Sequence, residues 1–217
     1  MTGVDAERVR ERLARVRERI AAVGGDDSVA VLAVTKGFGA DAIEAALAAG
    51  CTAIGENYAQ ELLAKRTAAE RAEVHFIGQL QTNKVRPIAG LVDVYETVDR
   101  ERLAAEIAKR DPGARVLVQV DTSGERGKGG CAPAEVDGVV DAARRLGLQV
   151  VGLMTVGPTE GGPEAARQGF REVRAALDRL GLEVCSMGMT DDLEVAVEEG
   201  STQIRVGTAL FGQRPRP

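Results

Sequence analysis

The chain contains a single histidine, His75, and no tryptophan, and aromatic residues make up only 3% of it. One histidine rules out a multi-histidine metal site and leaves almost no room for a histidine-based catalytic triad. His75 sits inside a strand-like run and reads as a packing residue whose ring is satisfied locally. With so few aromatics, the core must be built from Val, Leu, Ile and Ala. Cysteine is also scarce: Cys51, Cys131 and Cys185 are odd in number and far apart. They form neither a disulfide framework nor a metal-ligand pattern, so the expected setting is a reducing cytoplasm. An excess of basic charge is missing too, with 28 Lys and Arg against 33 Asp and Glu and a net charge of -5. That balance argues against a nucleic-acid partner. No apolar run is long enough to cross a bilayer, which excludes a spanning segment, and the N-terminus lacks the apolar core of a signal peptide.

What the sequence does contain is a regular alternation. The 217 residues, 44% hydrophobic and 28% charged, suit one large single-core domain covering 1–217. Residues 1–24 are expected to form an amphipathic helix packed on it, with Val9, Leu13, Val16, Ile20 and Val23 as one apolar stripe. Acidic residues on its other faces argue against a transit peptide. Strands are then predicted at 29–35, 52–55, 74–77, 92–97, 115–120, 149–154, 183–186 and 202–206. Between them fall helices at 40–49, 59–69, about 82–89, 100–109, 133–146, 163–180 and 191–199. Gly50, Gly90, Gly147, Gly181 and Gly200 follow helices, where a left-handed cap is wanted. Strands separated by helices imply parallel pairing with helical crossovers. The α/β fold this favours is a single (β/α)8 TIM barrel, with the N-terminal helix completing the outer ring. An open doubly wound sheet is the alternative.

Lys36 ends the first strand, directly after the apolar run Val29-Ala-Val-Leu-Ala-Val-Thr. An ammonium at the end of a buried strand is costly unless paired or neutralised, and burial lowers a lysine's pKa toward the free amine that Schiff-base chemistry needs. The competing reading is a strand-end lysine that snorkels to water. In a barrel, chemistry gathers at the C-terminal ends of the strands. There the chain offers Lys36, Glu56-Asn57-Tyr58, Gln79, Asp121-Thr122-Ser123, the run from Ser186 to Thr190, and Arg205-Val-Gly207-Thr208. Strand parity puts Lys36 on the face of Ala30, Leu32 and Val34, and Arg205 on the face of Gln203 and Gly207.

The loops after strands seven and eight carry glycine for close backbone approach and hydroxyls suited to a phosphate. Against that, Gly188 and Gly207 could simply turn the chain, Thr190 or Asp191 could cap a helix, and Asn57 could cap the helix after strand two. Two other phosphate patterns are weaker. Gly37-Phe-Gly39-Ala-Asp-Ala42 fits a dinucleotide fingerprint after a strand, but stands alone. Gly124-Glu-Arg-Gly127-Lys128-Gly-Gly130 has the wrong spacing for a P-loop, and Gly129 stands where a magnesium-binding hydroxyl is needed. It is expected to be a mobile basic loop.

Taken in order, Ala33-Val-Thr-Lys36, Gly55-Glu-Asn-Tyr58, His75-Phe-Ile-Gly78 with Leu80-Gln-Thr-Asn-Lys84, Ser186-Met-Gly-Met189 and Val206-Gly-Thr-Ala-Leu-Phe-Gly212 resemble the pyridoxal phosphate homeostasis proteins over nearly the whole chain. The resemblance implies a single barrel of the alanine racemase N-terminal type that binds pyridoxal 5′-phosphate (PLP). It also implies a part in vitamin B6 and amino-acid homeostasis without efficient turnover. PLP would be held as an internal aldimine on Lys36. Ser186, Gly207 and Thr208 would hold the phosphate, Arg205 would face the pyridine nitrogen, and Asn57 would lie near the ring. Thr190 stands where the family commonly has serine, and Gly129 where a serine is frequent. The partners implied are PLP, related B6 vitamers and PLP-requiring apo-enzymes, for a monomeric cytoplasmic protein. The alternative is a PLP-dependent amino-acid racemase. That enzyme class takes a second base from an additional C-terminal domain, and this sequence ends at Pro217, directly after the expected barrel. A cofactor-free Schiff-base aldolase is a weaker third reading.

Overall fold

A computed structural model describes residues 3–125 and 127–213. Eight parallel strands close into a barrel in sequence order, with the eighth pairing back to the first. The strands are β1 Ala30–Val34, β2 Ala53–Glu56, β3 Glu73–Phe76, β4 Val94–Val98, β5 Arg115–Val120, β6 Gln149–Thr155, β7 Val184–Ser186 and β8 Gln203–Val206. The helices around them are α1 Ala6–Ala22, α2 Ala40–Ala48, α3 Ala59–Ala64, α4 Arg66–Ala69, α5 Thr82–Ile88, α6 Glu101–Arg110, α7 Val136–Arg145, α8 Arg167–Arg179, α9 Leu193–Glu198 and α10 Thr208–Phe211. Closure disposes of the open-sheet alternative, and with it the dinucleotide reading of the segment after β1, where Gly39 simply precedes α2.

The alternation that predicts each strand also sets its two faces. Outward residues such as Val31, Ala33, Ile204 and Val206 meet α1 and α2 in one apolar layer between strands and helices. A second outward cluster joins Val74, Phe76 and Tyr95 to Leu62, Val85, Leu103 and Ile107. Helix α1 starts at Asp5, whose side chain accepts the Glu7 N–H at 3.0 Å, and it buries Val9, Val16 and Ile20. It packs on α2, α9 and α10, so it takes the expected place in the outer ring. Residues 1 and 2 of that predicted helical segment lie outside the described residues.

Three predicted helices are interrupted. The stretch 59–69 breaks at Lys65, where α3 ends and α4 begins. The predicted helices at 133 and 163 open as 3-10 turns, Pro133–Glu135 and Pro163–Ala166, each with proline in the first turn, where the missing N–H has no intrahelical acceptor to lose. Gly50 and Gly147 take φ of 100° and 82°, the left-handed conformation their positions after α2 and α7 call for.

The inward face is partly polar. Leu117, Met154 and Val94 fill one part of the barrel. His75, Glu96, Gln119, Ser186, Gln203 and Arg205 are also buried.

Candidate functional site at the C-terminal mouth of the barrel

A pocket of about 180 Å³ opens at the C-terminal ends of the strands. Val34, Ile77 and Phe38 contribute apolar wall, and Lys36, Arg205, Gly207, Thr208 and Thr190 line the rest. Lys36 therefore shares a face with Leu32 and Val34 as its spacing predicts, that face turns inward, and Lys36 is half-buried there. Phe38 is held from behind by Phe211, with ring centroids 5.3 Å apart.

The backbone on both sides of Lys36 is fixed by one buried network. Lys65 donates to the Thr35 carbonyl at 3.0 Å and pairs with Glu56 at 2.5 Å. The Thr35 hydroxyl donates to the same Glu56 oxygen at 2.6 Å. Glu61 accepts the Gly37 N–H at 2.7 Å and lies 3.5 Å from Lys65. Burial pushes the Glu56 carboxyl up, and Lys65 and Thr35 oppose that shift. The break in the helix at Lys65 is what lets its side chain turn under the first strand.

The strand-eight loop is built for close approach. A Cβ on Gly207 would sit 3.1 Å from the Val34 carbonyl oxygen, tighter than side chains normally tolerate. Thr208 is exposed on the pocket rim, and the Thr190 hydroxyl accepts the Ala209 N–H at 3.4 Å, joining the two loops. Neither Thr190 nor Asp191 caps α9. That position is Asp192, which accepts the Met189 N–H at 2.5 Å. Asn57 does not cap α3 either, since Tyr58 occupies the cap position. The Asn57 backbone is pressed against Gly78, and its Oδ1 is buried without a hydrogen-bond partner. A buried amide oxygen left unpaired is costly.

Ser186 departs from expectation. Its hydroxyl does not reach the phosphate-competent loops. It is fully buried, donates to Glu96 at 2.6 Å and accepts from Gln203 at 3.0 Å and Arg205 at 2.8 Å. The reason is parity: as the last inward residue of β7, it faces the polar barrel interior. Arg205 also donates to the Thr155 carbonyl at 2.6 Å. It does not pair with Glu56, which faces the helices on the other side of the sheet. His75 is satisfied, as its burial requires, with Nδ1 2.5 Å from Glu96. Glu96 and Gln203 are the site-related residues that the sequence reading passed over. The available signal was a lone carboxylate in the apolar strand β4, which must find a buried partner.

The loop 124–130 is anchored rather than the mobile loop expected, although Arg126 lies outside the described residues. Lys128 pairs with Glu125 at 3.0 Å and donates to the Gly157 carbonyl at 2.6 Å. Gln119 donates to the Gly129 carbonyl at 2.8 Å. All three cysteines are buried, and burial raises their thiols, Cys131 to about 11 and Cys185 to about 12, so none is a poised nucleophile. Among the described residues no cluster of His, Cys, Asp and Glu could hold a metal, and no helix is long and apolar enough to cross a membrane.

The closed parallel barrel, with a lysine at the end of β1 and glycine and hydroxyl groups in the loops after β7 and β8, defines a protein of the alanine racemase N-terminal class. The family model for the alanine racemase N-terminal domain matches residues 4–215. A pyridoxal phosphate homeostasis protein of Pseudomonas aeruginosa is 41% identical, with 96% of this chain and 95% of the relative covered. The chain belongs to the pyridoxal phosphate homeostasis protein family. Among solved structures, a protein described as unknown from Bifidobacterium adolescentis superposes with a TM-score of 0.87 at 36% identity, covering 95% of each chain. PipY of Synechococcus elongatus with PLP bound superposes with a TM-score of 0.79 at 32% identity, covering 94% of this chain and all of PipY.

Proposed function

We propose that this protein binds pyridoxal 5′-phosphate at the C-terminal mouth of the barrel and acts in intracellular PLP and amino-acid homeostasis without efficient turnover. The observation that carries the reading is the convergence of Lys36, Arg205, Gly207 and Thr208 on one pocket. The residues fit the cofactor. Lys36 supplies the amine for covalent attachment. Gly207 leaves backbone room for a phosphate, and Thr208 and Thr190 supply hydroxyl donors beside it. Asn57, which follows β2 at the same end of the barrel, would lie near the ring. Ser186 takes part through Arg205, from whose guanidinium its hydroxyl accepts a hydrogen bond, and not by contact with the phosphate.

Bound PLP supplies an electrophilic carbonyl and an electron-withdrawing ring. Arg205 limits the second property. A guanidinium at the pyridine nitrogen only donates a hydrogen bond, so it keeps that nitrogen unprotonated, whereas enzymes that need the full electron sink place a carboxylate there. Storage and delivery of PLP and related B6 vitamers to apo-enzymes, by a monomer in the cytoplasm, is the role this chemistry suits.

The test is reduction with borohydride followed by peptide mapping. A phosphopyridoxyl group is expected on the peptide carrying Lys36, and the visible band of the bound cofactor is expected to vanish in Lys36→Ala. A Lys36→Ala protein that keeps the band would sink the assignment. PLP-loaded protein is also to be incubated with single amino-acid enantiomers. Formation of the opposite enantiomer at enzymatic rates, abolished by Lys36→Ala, would replace homeostasis with racemisation.

A further inference from the structure

Behind Arg205 lies a chain of buried polar side chains that the cofactor pocket itself does not use. Arg205 donates to the Ser186 hydroxyl at 2.8 Å, which donates onward to Glu96 at 2.6 Å. Gln203 donates to Glu96 at 2.7 Å, and His75 reaches the same Glu96 oxygen at 2.5 Å. Glu73 lies 3.8 Å from the far nitrogen of His75. The chain thus runs from the wall of the C-terminal pocket, through the barrel, to the cavity at the N-terminal mouth that His75 and Glu73 line. Every donor points the same way along the Arg205 branch, so the Ser186 hydroxyl has one consistent orientation.

We propose that Glu96 is a positioning residue for Arg205: its carboxylate, acting through the Ser186 hydroxyl, holds the guanidinium toward the cofactor ring and balances its charge. The proposal rests on the PLP reading given above.

The groups around Glu96 come from three strands: His75 from β3, Ser186 from β7, and Gln203 and Arg205 from β8. Asp192, near α9, also acts on Arg205, and Lys36 shares its pocket. Burial alone would push Glu96 up, yet His75, Arg205 and Ser186 hold it below the usual carboxylate range. Burial pulls His75 down, but Glu73 and Glu96 outweigh it and hold the imidazole up at about 9. At 3.8 Å Glu73 is an ion-pair partner only, so the 2.5 Å contact with Glu96 is the stronger hold. The carboxylate is therefore ionised and clamped between two cations. Removing this carboxylate alone would leave the buried His75 and Arg205 charges without their counter-charge, so its place is fixed by both of them. Here one oxygen receives His75 and Gln203 and the other receives Ser186, which leaves Arg205 a single orientation.

The charge-only variants are Glu96→Gln and His75→Gln, read by the pH midpoint of the visible band of bound PLP. Removing a negative charge is expected to move the Glu96→Gln midpoint downward by about one pH unit, the scale of one elementary charge acting across a protein interior. His75→Gln removes a positive charge and is not expected to follow it downward. A midpoint in Glu96→Gln that is unmoved or moves up, or two variants that both move down, would overturn the proposal, since general loosening moves both alike. Should Glu96→Gln not fold, Ser186→Ala carries the test. It keeps the carboxylate and removes one hydroxyl, and PLP affinity is expected to fall about fivefold or more. Wild-type affinity there would overturn the proposal. Borohydride labelling of Lys36 in each variant separates the outcomes. An unlabelled wild type refutes PLP binding itself, whereas labelled variants with unchanged midpoints refute only the role of Glu96.

Discussion

The N-terminal mouth of the barrel holds the larger cavity, about 510 Å³ against about 180 Å³ at the C-terminal mouth. Its charged side chains largely answer one another. Arg115 donates to Glu73 at 2.6 Å, Glu73 faces His75, and Arg17 donates to the Val29 carbonyl at 2.6 Å. The smaller cavity gathers a lysine, an arginine, an exposed threonine hydroxyl and a glycine with no room for a side chain. Volume therefore ranks the two mouths in the wrong order for function. What distinguishes a ligand site is the chemistry its lining can offer a ligand, and in barrels that chemistry collects where the strands end.

The largest expected effect lies just beneath the C-terminal mouth. Lys65→Met strands the buried Glu56 carboxylate, so stability should fall by about 3–5 kcal/mol in chemical denaturation. Little or no loss would mean that the network under Lys36 is dispensable. The N-terminal mouth should reveal itself through pH. The folded pKa of His75, about 9, lies above its unfolded value near 6.5. The stabilisation is therefore fully present below about pH 6.5 and lost as pH rises through about 9, a contribution on the order of 3 kcal/mol. Melting curves should show wild type losing its advantage over His75→Gln across that window. Parallel curves at all pH values would disprove the linkage.

Smaller effects should separate binding from stability. Gly207→Val forces a side chain against the Val34 carbonyl and should weaken PLP binding by about 1–3 kcal/mol, with Thr208→Val near 1 kcal/mol, both read by titration. Wild-type affinity in both would place the phosphate elsewhere. Least of all, Arg115→Ala should cost under about 1 kcal/mol of stability and leave PLP affinity unchanged, because its ion pair is half exposed. A clear loss of affinity in Arg115→Ala would show that the two mouths are coupled.

Much of this was legible along the chain. The alternation in β1 groups Lys36 with Leu32 and Val34 and against Val31 and Ala33, although both sets are apolar and only closure of the barrel shows which set turns inward. In β8 the same spacing separates Gln203, Arg205 and Gly207 from Ile204 and Val206. Motif order was enough to indicate the family. The helix break at Lys65 was not legible, because nothing in the local pattern marks residue 65 as the one whose ammonium is drawn under β1. Nor was the anchoring of loop 124–130, whose partners Gln119 and Gly157 come from neighbouring strand ends.

By itself the sequence determined the eightfold alternation, the two faces of strands such as β1 and β8, and the residue types at the strand ends, since all three depend on spacing within one segment. Only the tertiary structure decided what the inward polar residues do. Glu96 and Ser186 are 90 residues apart in the chain, and Glu96 and Gln203 are 107 apart. Spacing tells which face a residue takes, but its partners across the barrel follow from closure and from the relative register of strands that do not touch in sequence. That is why the Ser186 hydroxyl meets Glu96 and Arg205, and why a lone histidine belongs to a buried chain reaching the C-terminal pocket.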